Sequence, residues 1–270
     1  MILVTGVSGQ LGAAVFAHLT KLGADVVGGT RRSADVPDTR QIDFDDDATL
    51  HFEDVDTLVF ISAGADEDDT VIERHRRVID AAERDGVEHI TYTSLATGGD
   101  HLAFALAHRW TERRLMAGST PWTILRNGLY AELVGHLLTP NDDGVITAPF
   151  GEAPIAAVAR QDLAEAAALV ALAPARHSGR TYNLVGARPF SAGDVAGIIG
   201  ATYRPASLKD LRAELADVEL LPFQPAMLHS IHSAATHGFL REPGTDLAKV
   251  LGRVPTEPLP VAAAVARRGE

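Results

Sequence analysis

Residues 1–22 read MILVTGVSGQLGAAVFAHLTKL. Met1–Thr5 is a short apolar run rich in β-forming residues. From Leu11 onward the apolar positions fall at Leu11, Val15, Leu19 and Leu22, the spacing of one helix face. Between strand and helix stand Gly6, Gly9 and Gly12, a G-x-x-G-x-x-G turn. A chain that must turn sharply, pass close to a pyrophosphate and pack a helix onto a sheet needs residues without Cβ at such points. The helix N-terminus then offers N–H groups and partial positive charge to the phosphates. Gly6, Val7, Ser8, Gly9, Gln10, Leu11 and Gly12 are therefore a candidate dinucleotide loop. Glycines alone would be a weak signal; the strand before and the amphipathic helix after give them weight.

The alternation continues outward from this unit. Strand-like runs are expected at Asp25–Gly29, Gln41–Phe44, Thr57–Ser62, His89–Ser94, Trp122–Arg126 and Thr181–Val185. Helical patterns cover Val71–Asp85, closed by Gly86, then Ala103–Ala117, ended by Gly118, and Gln161–Leu172. Short strands separated by helices imply βαβ crossovers and a parallel sheet. The expected fold class is α/β, a Rossmann-type doubly wound parallel sheet with a small C-terminal substrate lobe. Residues 1–150 are read as the Rossmann dinucleotide-binding domain and 151–270 as the lobe, with strand 181–185 returning to the main sheet. After Gly200 the pattern loosens: Asp210–Leu215 looks helical, and Pro222, Pro225, Pro243, Pro255, Pro258 and Pro260 punctuate the rest.

Composition narrows the function. The 270 residues are 46% hydrophobic and 22% charged, enough for a sizeable core. There is no cysteine, which excludes disulfides, thiolate nucleophiles, iron–sulfur clusters and cysteine-held zinc. A net charge of −12 argues against nucleic acid as partner. No apolar run approaches the ~18 residues of a membrane helix. No signal-type segment precedes Ile2, so a cytoplasmic protein without a membrane partner is expected. A homodimer is compatible with these features.

The nucleotide can be specified further. An NAD site usually carries an acidic residue at the end of the second strand, for the ribose hydroxyls. Here that strand ends Gly28-Gly29-Thr30-Arg31-Arg32. Guanidinium groups suit a 2′-phosphate, so Arg31 and Arg32 favour NADPH as cofactor. Asp43 and Phe44 follow the next strand-like stretch, where adenine is contacted in such folds. The acidic run Asp45–Asp47 beside them lacks the glycine and terminal glutamate of a calcium loop. Ser62, Ala63 and Gly64 end another strand and are small enough to pass beside the cofactor. Ser94 ends the next strand; Asn127, Gly128, Leu129 and Tyr130 follow the one after, at the ligand crevice of open α/β sheets. His229, His232 and His237 lie near one another but do not share one helix face and lack a nearby carboxylate, so no metal is expected.

Four stretches, TGVSGQLG (Thr5–Gly12), GVEHITYTS (Gly86–Ser94), HRWTE (His108–Glu112) and WTILRNGLYAE (Trp122–Glu132), resemble the NmrA-like, atypical short-chain dehydrogenase family, and within it the NADPH:quinone oxidoreductase branch. GRTYNLVG at Gly179–Gly186 supports the match. The resemblance implies that Asn127–Tyr130 line the nicotinamide and the substrate, and that Ser94, His108, Asn127 and Tyr130 shape the reacting site. Typical short-chain dehydrogenases use Ser, Tyr and Lys. Ser94 is present, but the helix carries Phe104 and His108 where Tyr and Lys would stand, with Glu112 one turn further. Phe104 cannot donate a proton; His108 can bond a ribose or substrate, and its ordinary pKa lets it titrate. Ketone reduction produces a strongly basic alkoxide and loses its acid here. A quinone gives a delocalised, weakly basic anion that needs less help. The expected activity is hydride transfer from NADPH to a quinone or similar planar aromatic carbonyl compound, a small-molecule substrate. Two alternatives share the same features: an NADP-sensing regulator without turnover, and a reductase tailoring a polycyclic aromatic natural product.

Overall fold

A computed structural model of the chain describes residues 1–32, 38–63 and 66–269. The main sheet begins with β1 (Ile2–Thr5), β2 (Val26–Thr30), β3 (Thr39–Gln41), β4 (Thr57–Phe60), β5 (His89–Leu95) and β6 (Trp122–Asn127). It closes with β8 (Arg180–Leu184), which joins this sheet as its sequence suggested. The strand order is β3-β2-β1-β4-β5-β6-β8. Pairing is parallel from β3 through β5; Ile2 of β1 stands opposite Val26 on one side and Thr57 on the other. Connections run outward in opposite directions from β1 and β4, so the order reverses there. A ligand crevice forms at such a switch point, beyond the carboxyl ends of the strands.

Interior parallel strands read as unbroken apolar runs because both faces are covered. Every residue of β4 and β5 is buried. The helices of this region are α1 (Gln10–Lys21), α2 (Asp68–Arg84), α3 (Ala105–Ala117), α5 (Arg160–Leu172) and the short α6 (Pro174–His177). Helix α2 buries Val71, His75, Val78, Ile79 and Ala82, one stripe of a 3.6-residue period. Val78 and Ile79 pack with Phe52, Phe60 and Tyr92 in the core.

By packing, the chain forms two compact units. The first is 1–95, 106–126 and 161–182; the second is 96–105, 127–160 and 183–270. The second contains α4 (Ala131–Leu137), α7 (Ala192–Ile199), α8 (Leu208–Ala216), α9 (Gln224–Thr236), α10 (Asp246–Leu251) and α11 (Pro258–Arg268). It also holds a two-stranded parallel ribbon of β7 (Val145–Ala148) and β9 (Thr202–Pro205). Phe150, Val134 and Phe190 fill its core, each worth about 1.5–3 kcal/mol of burial. Helix α11 crosses α4 so closely that a Cβ at Gly135 would lie 2.4 Å from the Ala262 carbonyl oxygen. Pro225, Pro258 and Pro260 sit in the first turns of α9 and α11, where no intrahelical N–H is needed. These prolines open helices instead of breaking them. No helix among the described residues is long and apolar enough to cross a membrane.

Candidate cofactor cleft and the polar cluster beside it

The loop after β1 borders a cleft of about 480 Å³ in the first unit. Gly6 turns the chain with φ +65°, a conformation open mainly to glycine. Helix α1 then returns so close that a Cβ on Gly12 would meet the Gly6 carbonyl oxygen at 2.3 Å. Gly9 caps α1 with backbone only, and no acidic side chain occupies the first turn. The first N–H groups of the helix therefore keep their positive field for a ligand. Gly6, Ser8, Gly9, Gln10, Leu11 and Gly12 line the cleft. Val7 does not: its N–H donates to the Gly29 carbonyl at 3.2 Å, and its side chain presses on Gly28. Val7 anchors the loop and presents nothing to the cleft. Backbone amides at a helix start, with space above them, fit a pyrophosphate.

Thr30 and Arg31 line the cleft from the end of β2; Arg32 is exposed and does not. Asp43 and Phe44 line it from beyond β3. The Asp43 N–H donates to Thr49 Oγ1 at 2.8 Å, and its carboxylate accepts the Asp45 N–H at 3.1 Å. Phe44 stands edge-on to Phe60, with ring centroids 5.6 Å apart. Three charged lining residues escaped the sequence reading as cleft residues: Asp45, Asp66 and Arg74. Arg74, on α2, donates to both carboxylate oxygens of Asp45 at 2.8 Å and to Asp66 at 3.0 Å. The Arg74 hydrogen bonds hold the Asp45 carboxyl below its ordinary pKa.

Ser62 and Ala63 line the cleft after β4; Gly64 lies outside the described residues. The Ser62 N–H donates to Thr93 Oγ1 at 3.0 Å, and the Ala63 N–H donates to His75 Nε2 at 3.0 Å. An amide can only donate, so His75 Nε2 accepts and Nδ1 carries the proton. That proton goes to Thr111 Oγ1 at 2.8 Å, whose own hydroxyl donates to the Ala107 carbonyl. His75 is fully buried, and burial pushes its pKa down to about 3.

Ser94 and His108 lie in the first unit but have separate partners. His108 Nδ1 shares a hydrogen bond with the Tyr92 hydroxyl at 2.9 Å. Burial, reinforced by the Arg109 charge, lowers its pKa to about 4. The expectation of a histidine titrating near neutrality is therefore corrected: His108 is a neutral imidazole at physiological pH. Ser94 donates to Glu112 Oε1 at 2.6 Å. The same oxygen accepts from Arg109 at 2.7 Å and Arg126 Nε at 2.9 Å, and Oε2 accepts from Arg126 Nη2 at 2.6 Å. Burial works to raise the Glu112 pKa, but the bonds from Arg126 and Ser94 outweigh it and hold the carboxyl below its ordinary value. Glu112 stays ionised, with two guanidiniums facing its carboxylate.

The NAD(P)H-binding family matches residues 6–174. Quinone oxidoreductase 2 of Escherichia coli (strain K12) is 32% identical over 95% of both chains. The chain belongs to the NAD(P)H-binding, NmrA-like family of oxidoreductases. Among solved structures, the NADPH complex of the E. coli NADPH-dependent quinone oxidoreductase superimposes with a TM-score of 0.87, 31% identity and coverage of 98% of this chain and 99% of that one. Triphenylmethane reductase of Citrobacter sp., complexed with NADP(H), gives a TM-score of 0.87 at 26% identity, covering 99% and 98%.

In this NmrA-like protein the segment after β6 belongs to the second unit. Asn127 is buried and its Oδ1 has no hydrogen-bond partner among the described residues. The Gly128 N–H donates to the Leu184 carbonyl at 2.9 Å, and the Leu129 carbonyl accepts from the Val158 N–H at 2.9 Å. The Arg160 guanidinium lies 5.1 Å above the Tyr130 ring. Of the three C-terminal histidines, His229 faces Arg212 at 3.3 Å, and His232 Nδ1 bonds the Leu228 carbonyl within its own helix.

Proposed function

We propose that this NmrA-like protein binds NADPH in the cleft of its first unit and reduces a quinone or a similar planar, conjugated carbonyl compound. The observation that carries the reading is Arg31 lining the cleft at the end of β2, where an NAD site would place a carboxylate. The α1 amides from Gln10 to Gly12 hold the pyrophosphate, Arg31 the 2′-phosphate, Asp43 and Phe44 the adenine, and the Ser62–Ala63 backbone the middle of the cofactor. By family resemblance, Asn127, Gly128, Leu129 and Tyr130 contact nicotinamide and substrate. Residues 151–270 are read as the substrate lobe.

NADPH bound there supplies a hydride. What the protein adds is alignment, worth far more to a bimolecular step than any single acid. Position 104 is a phenylalanine, and the Ser94 proton is committed to Glu112. Neither supplies a proton in the manner of a Ser–Tyr–Lys site. A quinone tolerates this. The hydride brings two electrons and one proton and leaves a delocalised anion, which takes its second proton from solvent to give the hydroquinone. His108, neutral and oriented by Tyr92, serves as a hydrogen-bonding group for ribose or substrate. The E. coli relative named for quinone reduction supports the same substrate class.

The test is NADPH oxidation followed by nicotinamide absorbance, with simple and polycyclic quinones and NADH in parallel. Turnover with NADPH supports the reading, and the best acceptor reports the pocket size. Tight NADPH binding with no turnover by any quinone would replace it with a sensing role.

A further inference from the structure

The nucleotide cleft that the preceding reading assigns to NADPH carries an electrostatic problem of its own. Among the described residues, its charged lining besides Arg31 is Asp43, Asp45, Asp66 and Arg74. Three carboxylates thus border a site for a polyanion, where like charge disfavours binding. Two of the three are engaged by a single residue. Arg74 forks onto Asp45 through Nε and Nη2, both at 2.8 Å, and reaches Asp66 through Nη1 at 3.0 Å. The fork is supported from the side: Arg77, one helical turn further on α2, donates to the Asp45 carbonyl at 3.0 Å. The Arg74 side chain is 20% exposed, while its partners Asp45 and Asp66 are 52% and 39% exposed and reach it from the solvent side. Asp45 also lies within electrostatic range of Arg31, the residue assigned to the 2′-phosphate.

We propose that Arg74 is a specificity-determining shield: by pairing with Asp45 and Asp66 it offsets part of their negative charge and makes the Arg31 end of the cleft habitable for the 2′-phosphate, without itself gripping the nucleotide. This rests on the NADPH reading. The two carboxylates in turn hold Arg74 away from the ligand, so that Arg31 does the discriminating. With its guanidinium taken up by two carboxylates, Arg74 leaves selectivity to Arg31, the residue that reads the extra phosphate. NADPH carries about 1.5–2 more negative charges than NADH, so the shield matters more for NADPH.

The experiment is a mutant cycle read by direct nucleotide binding, using fluorescence titration of NADPH and NADH into the full chain. The variants are Arg74→Gln, Asp45→Asn/Asp66→Asn, and all three together, with thermal melts to show that each is folded. Arg74→Lys serves as the charge-preserving control. Arg74→Gln is expected to weaken NADPH about tenfold and NADH by about threefold or less, while Arg74→Lys retains most of the affinity. In the Asp45→Asn/Asp66→Asn background the same Arg74→Gln change should cost about twofold or less, since the two carboxylates it pairs with are gone. If it costs as much there as in the wild type, Arg74 contacts the nucleotide directly and the shield is overturned. A wild-type chain that binds neither nucleotide overturns the cofactor reading and the shield with it. A chain that binds NADPH but shows no coupling between Arg74 and the two aspartates overturns the shield alone.

Discussion

Replacing Glu112 by Gln should destabilise the first unit substantially while leaving its shape nearly unchanged. The carboxylate is 3% exposed and receives four hydrogen bonds of 2.6–2.9 Å from Ser94, Arg109 and Arg126. Gln keeps an acceptor at one position but places an NH₂ against Arg126 Nη2, where donor meets donor. Removing one partner from a fully buried ion pair costs about 3–5 kcal/mol. Arg109 and Arg126 remain 19% and 24% exposed, so water recovers part of the loss. We expect about 2–4 kcal/mol, from charge-assisted bonds of roughly 1.5–3 kcal/mol that do not add. For a chain of this size that lowers Tm by roughly 5–15 °C. The assay is thermal unfolding at neutral pH, followed by circular dichroism. Ser94→Ala, which removes one donor and no charge, should cost about 1 kcal/mol and change kcat by less than about tenfold, because its proton belongs to Glu112. A Glu112→Gln variant melting within about a degree of wild type would refute the view that this cluster holds an ionised, structurally essential carboxylate.

Other predictions concern the cleft and the buried histidines. Gly12→Ala drives a methyl into the Gly6 carbonyl and should weaken NADPH by about a hundredfold or more in a chain that still folds, measured by fluorescence titration. Arg31→Glu should reverse the nucleotide preference, with NADH favoured in the same titration. Acid should unfold the protein early. His75 and His108 have folded pKa values of about 3 and about 4, below the ordinary 6.5, so the unfolded chain takes up protons first as pH falls. Their contribution is fully present above about pH 6.5 and is lost as pH falls toward those folded values. Each accounts for at most about 2 kcal/mol by pH 5, and urea unfolding across this window should show the decline. Stability unchanged between neutrality and pH 5 would contradict the burial of neutral imidazoles.

The glycine turn and most strands of the main sheet were legible because each rests on local pattern, whereas the strand expected at Gln41–Phe44 stands at Thr39–Gln41 and β7 and β9 were not foreseen. Only glycine tolerates the Gly12–Gly6 approach, and a missing acid at the end of β2 is visible in five consecutive residues. Long-range pairing was not legible. Arg74 reaches Asp45 across 29 positions, and nothing in the run Glu73–Arg77 marks one arginine as the one that enters the cleft. The sequence placed His108 and Ser94 in one region, yet their states depend on Tyr92 and on Arg109, Glu112 and Arg126. Burial, which a single sequence does not quantify, turned a titratable imidazole into a neutral one. In the second unit, prolines at the starts of α9 and α11 masked helices because the N-terminal turn is the one place where proline costs little. The capping box of Ser191 and Asp194 on α7 was the local signal that could have revealed a further element.

The most direct test of the account is steady-state oxidation of NADPH and of NADH by a graded series of quinones. It predicts turnover with NADPH, a kcat/KM at least about tenfold higher than with NADH, and loss of that preference in Arg31→Ala. Equal use of both nucleotides, or none of either with any quinone, would contradict it.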